Sequence, residues 1–184
     1  MLRSVLAVAL VAVSTVPASA GTYLGLGVGT APGLDSSGDS MMPLQGNGRS
    51  GKLLVGMRFG RLSVEGAAGR YGLFMSQYNY PADGTQLTAA LKYSFPLGDN
   101  FEAFLRGGLA HTSLVTQESI HDADSADGNG WLLGGGFEYR LNALIAGASL
   151  FVDYEHVSTH FTNNATGQFD VSSGVWMLGV TLSL

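Results

Sequence analysis

Few side chains in this chain have types and spacing suited to chemistry. His156-Val157-Ser158, with Asp170 further along, is the one constellation that could be catalytic. A serine becomes a nucleophile when a histidine takes its proton, and an acid must hold that imidazole in orientation. Asp122-Ala-Asp124-Ser-Ala-Asp127-Gly-Asn-Gly looks superficially like a calcium loop. An EF-hand needs its third ligand at position 5 and glycine at position 6, where Ala126 and Asp127 stand here, so the stretch reads as a solvated acidic loop. His156 and His160 are four apart and close no metal site by themselves. With no cysteine in the chain, a thiol nucleophile, a disulfide framework and a thiolate metal centre are all excluded. No metal and no cofactor are expected.

The elements that must carry these residues are strands. Of 184 residues, 46% are apolar, 12% are charged and 27 are glycine. A soluble domain has about 25% charged residues and about 7% glycine, so this chain lacks the charge of a water-facing surface and is rich in a helix-weakening residue. Met1-Leu2-Arg3, an apolar run from Val5 to Val13 and Pro17-Ala18-Ser19-Ala20 describe an export signal over residues 1–20, cleaved after Ala20. Residues 21–184 then form one domain, exported to the periplasm or beyond.

The stretch from Gln86 to Ala110 shows the pattern that the rest repeats. Leu87, Ala89, Leu91, Tyr93 and Phe95 alternate with Thr88, Ala90, Lys92 and Ser94. After Pro96-Leu97-Gly98-Asp99-Asn100, Phe101, Ala103, Leu105 and Leu109 oppose Glu102, Arg106 and Gly108. Successive strand side chains point to opposite faces, so each arm has one greasy face and one with isolated charges. Arms of about ten residues suit a tilted strand crossing a bilayer. The same alternation predicts strands from Tyr23 to Thr30, Lys52 to Phe59, Leu62 to Tyr71, Trp131 to Leu141, Ala146 to Glu155 and Val171 to Leu184. That makes eight strands whose connections alternate long and short, the rhythm of a barrel with long outer loops and short periplasmic turns.

Ten strand charges fall on the polar faces. Lys52, Arg58, Lys92, Arg106 and Arg140 balance Glu65, Glu102, Glu138, Asp153 and Glu155. Arg or Lys on a lipid-facing midplane position costs about 2–4 kcal/mol, so the face holding all ten must be the interior. Eight strands enclose room only for side chains, and buried charges persist when paired and hydrogen-bonded. The expectation is a filled lumen with an ion-pair network. Without residues 1–20 the chain has eight basic and fourteen acidic residues, a net of −6, which therefore lies in loops and at the rims. Tyr23, Tyr71, Trp131, Phe161, Phe169 and Trp176, near strand ends, are expected as interfacial girdle residues.

Tyr23-Leu-Gly-Leu-Gly-Val-Gly, Gly51-Lys-Leu-Leu-Val-Gly-Met-Arg-Phe, Leu62-Ser-Val-Glu-Gly-Ala-Ala-Gly, Leu91-Lys-Tyr-Ser-Phe-Pro-Leu-Gly-Asp-Asn-Phe and Gly134-Gly-Gly-Phe-Glu-Tyr-Arg-Leu resemble the small outer-membrane β-barrels related to the OmpA transmembrane domain and OmpX. The resemblance implies insertion by the barrel-assembly machinery and contact with outer-membrane lipid and lipopolysaccharide. Members of that family usually end in an aromatic residue, and this chain ends in Leu184. His156-Val157-Ser158 with Asp170 also loosely resembles the His-x-Ser motif and downstream acid of the PagL-type lipid A deacylases. That likeness would make Ser158 nucleophile, His156 base and Asp170 orienter. It departs from the motif at Thr159, where asparagine is usual, and in having Asp for Glu.

The sequence thus reads as all-β: an eight-stranded antiparallel up-and-down transmembrane β-barrel of a Gram-negative outer membrane. Its expected role is non-enzymatic, in membrane integrity or in surface interaction with an extracellular ligand at four exposed loops. Nucleic acid is not an expected partner of an exported acidic chain. A PagL-like deacylase is the alternative, and a secreted lipocalin-like barrel with its greasy face inside is a third reading.

Overall fold

The computed structural model describes residues 21–38, 44–75, 80–119, 122–141, 147–163 and 167–184, so the expected export signal lies outside the described residues. Every element is a strand: β1 Gly21–Gly29, β2 Gly33–Gly38, β3 Leu44–Phe59, β4 Leu62–Met75, β5 Tyr80–Pro96, β6 Phe101–Ser119, β7 Asp122–Leu141, β8 Ala148–Asn163 and β9 Gly167–Ser183. Each pairs antiparallel with its successor from β3 to β9, and β1 closes the ring by pairing with both β3 and β9. β2 continues the position of β1 along β9 after a break at residues 30–32. The wall therefore has eight staves, the first made of two pieces.

The pairing register measures the slant of the wall. From Phe95 the ladder runs through Ala103, Phe137, Val152, Leu178, Val28, Gly51 and Arg70, and returns to β5 at Thr85. One circuit thus climbs ten residues. With strands about 4.8 Å apart and about 3.3 Å per residue, the tilt is about 40°, within the range of closed barrels.

The strands run further than the hydrophobic alternation does. β5 begins at Tyr80, β7 at Asp122 and β9 at Gly167, while β6 reaches Ser119 and β8 reaches Asn163. Much of what the sequence presents as long loops is therefore hairpin stem beyond the bilayer. Outside lipid no face need be apolar, so ladder bonds persist there without a periodic signal.

Greasy faces point outward. Leu24, Leu26, Val28, Leu53, Leu91, Leu105, Leu109, Leu133 and Leu178 are all exposed, which rules out the cup with an apolar interior. A girdle of Phe59, Tyr93, Phe95, Phe101, Phe137 and Tyr139 surrounds the end with short turns and termini. It includes the stacked pair Phe101–Phe137, with centroids 5.5 Å apart. At the other edge Trp131 and Trp176 face outward as expected. Tyr23, Tyr71, Phe161 and Phe169 do not: all four are buried in the lumen. Their strand parity places them on the inward face, and parity overrides closeness to a strand end.

Glycine makes the lumen wide enough for these rings. Tyr23, Tyr71 and Phe151 each lie opposite a glycine on the next strand: Gly56, Gly84 and Gly179. A Cβ there would sit 2.3 Å, 2.2 Å and 2.3 Å from the ring. The first short turn, Gly60-Arg61, uses glycine differently, at a φ of 65° that side chains disfavour. A Gly56→Val variant must displace Tyr23, and overpacking of this kind costs about 1–3 kcal/mol. Its urea midpoint in lipid vesicles should fall clearly below that of native protein, whereas Gly51→Val, with nothing within 4 Å of its Cβ, should leave the midpoint unchanged.

Candidate functional site

All ten of the charges expected on inward strand faces enter the lumen. Eight of them, Lys52, Glu65, Lys92, Glu102, Arg106, Glu138, Asp153 and Glu155, are buried there. At the centre Arg106 holds three carboxylates, with Nε 2.6 Å from Glu65 and Nη1 2.8 Å from Asp153 and 2.6 Å from Glu155. Lys52 donates to Glu155 at 2.7 Å and lies 3.7 Å from Asp153. Lys92 donates to Glu138 at 2.7 Å and stands 4.4 Å above the Phe104 ring. Toward the short turns, Arg58 Nη2 donates to both oxygens of Glu102, at 2.8 and 2.9 Å, and Arg140 donates to the same carboxylate.

The wall places like charges side by side, since Lys92 faces Arg106 across one ladder and Glu102 faces Glu138 across the next. Opposite charges meet across the lumen, joining β3 to β8, β5 to β7 and β6 to β8. Residue type and parity foreshadow these ten positions. Two participants carry no such signal: the Tyr23 hydroxyl, which donates to Glu65 at 2.5 Å, and Phe104, the platform for Lys92. Only the glycines alternating with Tyr23's face hint that a ring there turns inward.

At the end with the long hairpins the lumen becomes apolar. Tyr71, Leu73, Leu114, Phe161, Phe169 and Val171 form one cluster, with Leu34 against it and the Phe161 and Phe169 rings stacked 5.0 Å apart. A void of about 10 Å³ remains among them, room for no more than one water.

His156 and Ser158 are on the outward face of β8, half-buried, with the His156 ring 5.5 Å from Trp131. Asp170 does not reach His156. The β8–β9 register sets His160 opposite Asp170, and their side chains are hydrogen-bonded at 2.7 Å; His156 stands opposite Gly174. Gly174 and Asp170 are separated by about 13 Å of strand. The structure thus brings together Asp170 with His160, and not His156 with an acid. His160 and Asp170 belong to a polar row on the outward face that continues through Asn129 to His111, whose side chains are 2.9 Å apart. Arg70 pairs with Asp83 at 2.9 Å on the same rim, both well exposed.

A closed wall, a lipid-facing apolar belt between girdles and charges confined to the lumen and rims define an integral membrane β-barrel. The chain belongs to the outer membrane protein β-barrel family, whose domain model matches residues 4–183, and it is an outer-membrane protein. Among solved structures it is similar to Neisserial surface protein A, at 15% identity over 88% of this chain and 96% of that one, with a TM-score of 0.66. It is similar also to Ail, the attachment invasion locus protein of Yersinia pestis, solved with the heparin analogue sucrose octasulfate: 16% identity, 90% and 99% coverage, TM-score 0.57. The N-terminal β-barrel domain of Pseudomonas aeruginosa OprF follows at 13% identity, 90% and 98% coverage and a TM-score of 0.54. Identities this low show the shared fold. No curated protein sequence matches the chain.

Removing one member of a buried ion cluster costs about 3–5 kcal/mol, because its partners remain charged and unpaired. Arg106→Met should destabilise the folded barrel on that scale, whereas Arg70→Ala, which breaks an exposed pair, should change stability by less than about 1 kcal/mol. Urea unfolding in vesicles, followed by tryptophan fluorescence, measures both. Equal effects would rule out the lumen cluster as a structural centre.

Proposed function

We propose that this protein is a non-enzymatic outer-membrane barrel with a sealed lumen, acting in surface interaction through its four outer hairpin ends and supporting membrane integrity as a rigid scaffold. Residues 1–20 serve as its export signal, the barrel-assembly machinery inserts it, and outer-membrane lipid and lipopolysaccharide surround it. The single observation that carries the reading is the filled lumen: eight buried charged side chains at its centre and an apolar cluster above them. A sealed barrel acts through what it displays.

What it displays is acidic. Lumen charges cancel, and Arg61 and Asp99 in the short turns cancel as well. The whole net of −6 therefore belongs to residues outside the lumen and the short turns, where the sequence sets Arg49 and Arg70 against Asp35, Asp39, Asp83, Glu118, Asp122, Asp124, Asp127 and Asp170. Such a surface attracts a basic partner at low and moderate salt. Ail was solved with a polysulfated sugar; the charge sign here argues for the opposite ligand class.

Cells displaying the protein should bind immobilised oligolysine and not heparin, and the triple variant Asp122→Asn, Asp124→Asn, Asp127→Asn should bind oligolysine several-fold more weakly. Retention on heparin instead, or a triple variant that binds undiminished, would sink the acidic-surface reading. The filled lumen should give no conductance steps in planar bilayers, and regular steps would refute the seal. Lipid A from these cells should keep every acyl chain by mass spectrometry, with His156→Ala giving the same spectrum. Loss of one chain with the native protein alone would replace this reading by a deacylase.

A further inference from the structure

Below the ion cluster, at the end with the termini and short turns, the lumen widens into a cavity of about 470 Å³. This is the size of a small-ligand site, which spans about 300–1,000 Å³. In an outer-membrane barrel this end faces the periplasm. Arg58, Arg140, Lys92 and Glu138 line the cavity, with hydroxyls from Ser63 and Thr181. Gly21, Gly147 and Ser183 also line it.

Arg58, Lys92 and Arg140 meet Glu65, Glu102 and Glu138 here, three charges of each sign, but the cavity wall itself carries the three cations and, of these carboxylates, Glu138 alone. Neither arginine is used up by its glutamate. A guanidinium has five N–H donors. The bonds that Arg58 makes to Glu102 and to the Gly60 carbonyl, and that Arg140 makes to Glu102, occupy part of them. The two side chains keep 25% and 43% of their surface open, while their shared Glu102 keeps 6%. The carboxylate is thus more enclosed than the two guanidinium groups, both of which line the cavity.

We propose that this vestibule binds a carboxylate, the free terminus of a periplasmic peptide, on the open sides of Arg58 and Arg140. Planar guanidinium groups match a carboxylate in a forked, two-bond geometry. A wall with three cations and one carboxylate attracts an anion. Glu138, on the cavity wall, can accept a peptide N–H that accompanies a terminal carboxylate. The peptide could be a cell-wall stem peptide, ending in a D-residue, or a fragment of exported protein, ending in an L-residue. Both present the same group to the arginines.

The test uses the protein folded in detergent micelles and four probes: acetyl-Lys-D-Ala-D-Ala, acetyl-Lys-L-Ala-L-Ala, and the C-terminal amide of each. Isothermal titration should show at least one free acid binding ten-fold or more tighter than its amide. Preference between D and L forms identifies the source, and either result supports the site. Arg140→Gln should weaken the acid at least ten-fold, and Arg70→Gln, at the other end of the barrel, should not; boiling-dependent gel mobility verifies that each variant is folded. Should Arg140→Gln fail to fold, the comparison of acid with amide on the native protein decides alone. Equal binding of acid and amide, absence of binding by either acid, or undiminished binding by folded Arg140→Gln would overturn the proposal.

Discussion

The structure depends on opposite charges that meet mainly across the lumen. Neighbouring staves set Lys92 beside Arg106 and Glu102 beside Glu138, pairings that repel when only two strands are present. Closure reverses the sign of the interaction, because Lys92 then finds Glu138, and Arg106 finds Glu65, Asp153 and Glu155. A partly assembled sheet would carry these charges toward lipid or leave them unpaired, both costly. The network therefore adds less as a sum of favourable bonds than as a penalty on every arrangement other than the closed one. Buried ion pairs often contribute little net stability against an apolar core, and their attested value is in selecting one geometry.

That constraint divides the molecule along its axis. Above the charges, apolar side chains fill the lumen, and the outward polar row of His111, Asn129, His160 and Asp170 marks where the wall leaves the hydrocarbon. Below them the filling stops at Arg58 and Arg140, half-open to the periplasmic side. The glycines opposite Tyr23, Tyr71 and Phe151 make this packing possible in a barrel of only eight staves. Where a ring must cross a narrow lumen, the facing residue has to surrender its side chain. The composition of the chain, poor in charge and rich in glycine, is what a thin wall with lipid outside and crowded side chains inside requires.

Much of this was legible in the sequence, because membrane strands obey a period of two and lipid forbids charge on one of the two faces. Alternation in Leu87–Phe95 and Phe101–Leu109 shows strand and facing together, and the charge rule turns the face of Lys92 and Arg106 inward. Beyond the bilayer the rule lapses. The stems Tyr80–Gly84 and Asp122–Gly130 read as loops because water accepts either face, and only the ladder shows them to be strand. The girdle was legible at Trp131 and Trp176 alone among the six aromatics expected there. Closeness to a strand end pointed to six aromatics, yet the parity of Tyr23, Tyr71, Phe161 and Phe169 sends them inside, where they line the lumen.

The vestibule was not legible at all, since parity says which way Arg58 and Arg140 point and nothing about what lies between them. The same limit governs His156, Ser158 and Asp170. Spacing along one strand determines a shared face, so His156 and Ser158 do stand together on the outside of β8. Which residue of β9 meets them depends on the register across the hairpin, where Asn163 pairs with Gly167 and the count then leads to His160 opposite Asp170. Moving Asp170 opposite His156 would need a slip of four residues. Such a slip preserves parity, so the apolar face alone does not forbid it. It would, however, carry Val171 and Phe169 away from the Phe161 and Tyr71 side of the lumen plug and break the stacked pair of rings. The packing of the plug, inside the wall, thus decides which acid a histidine on the outside can reach.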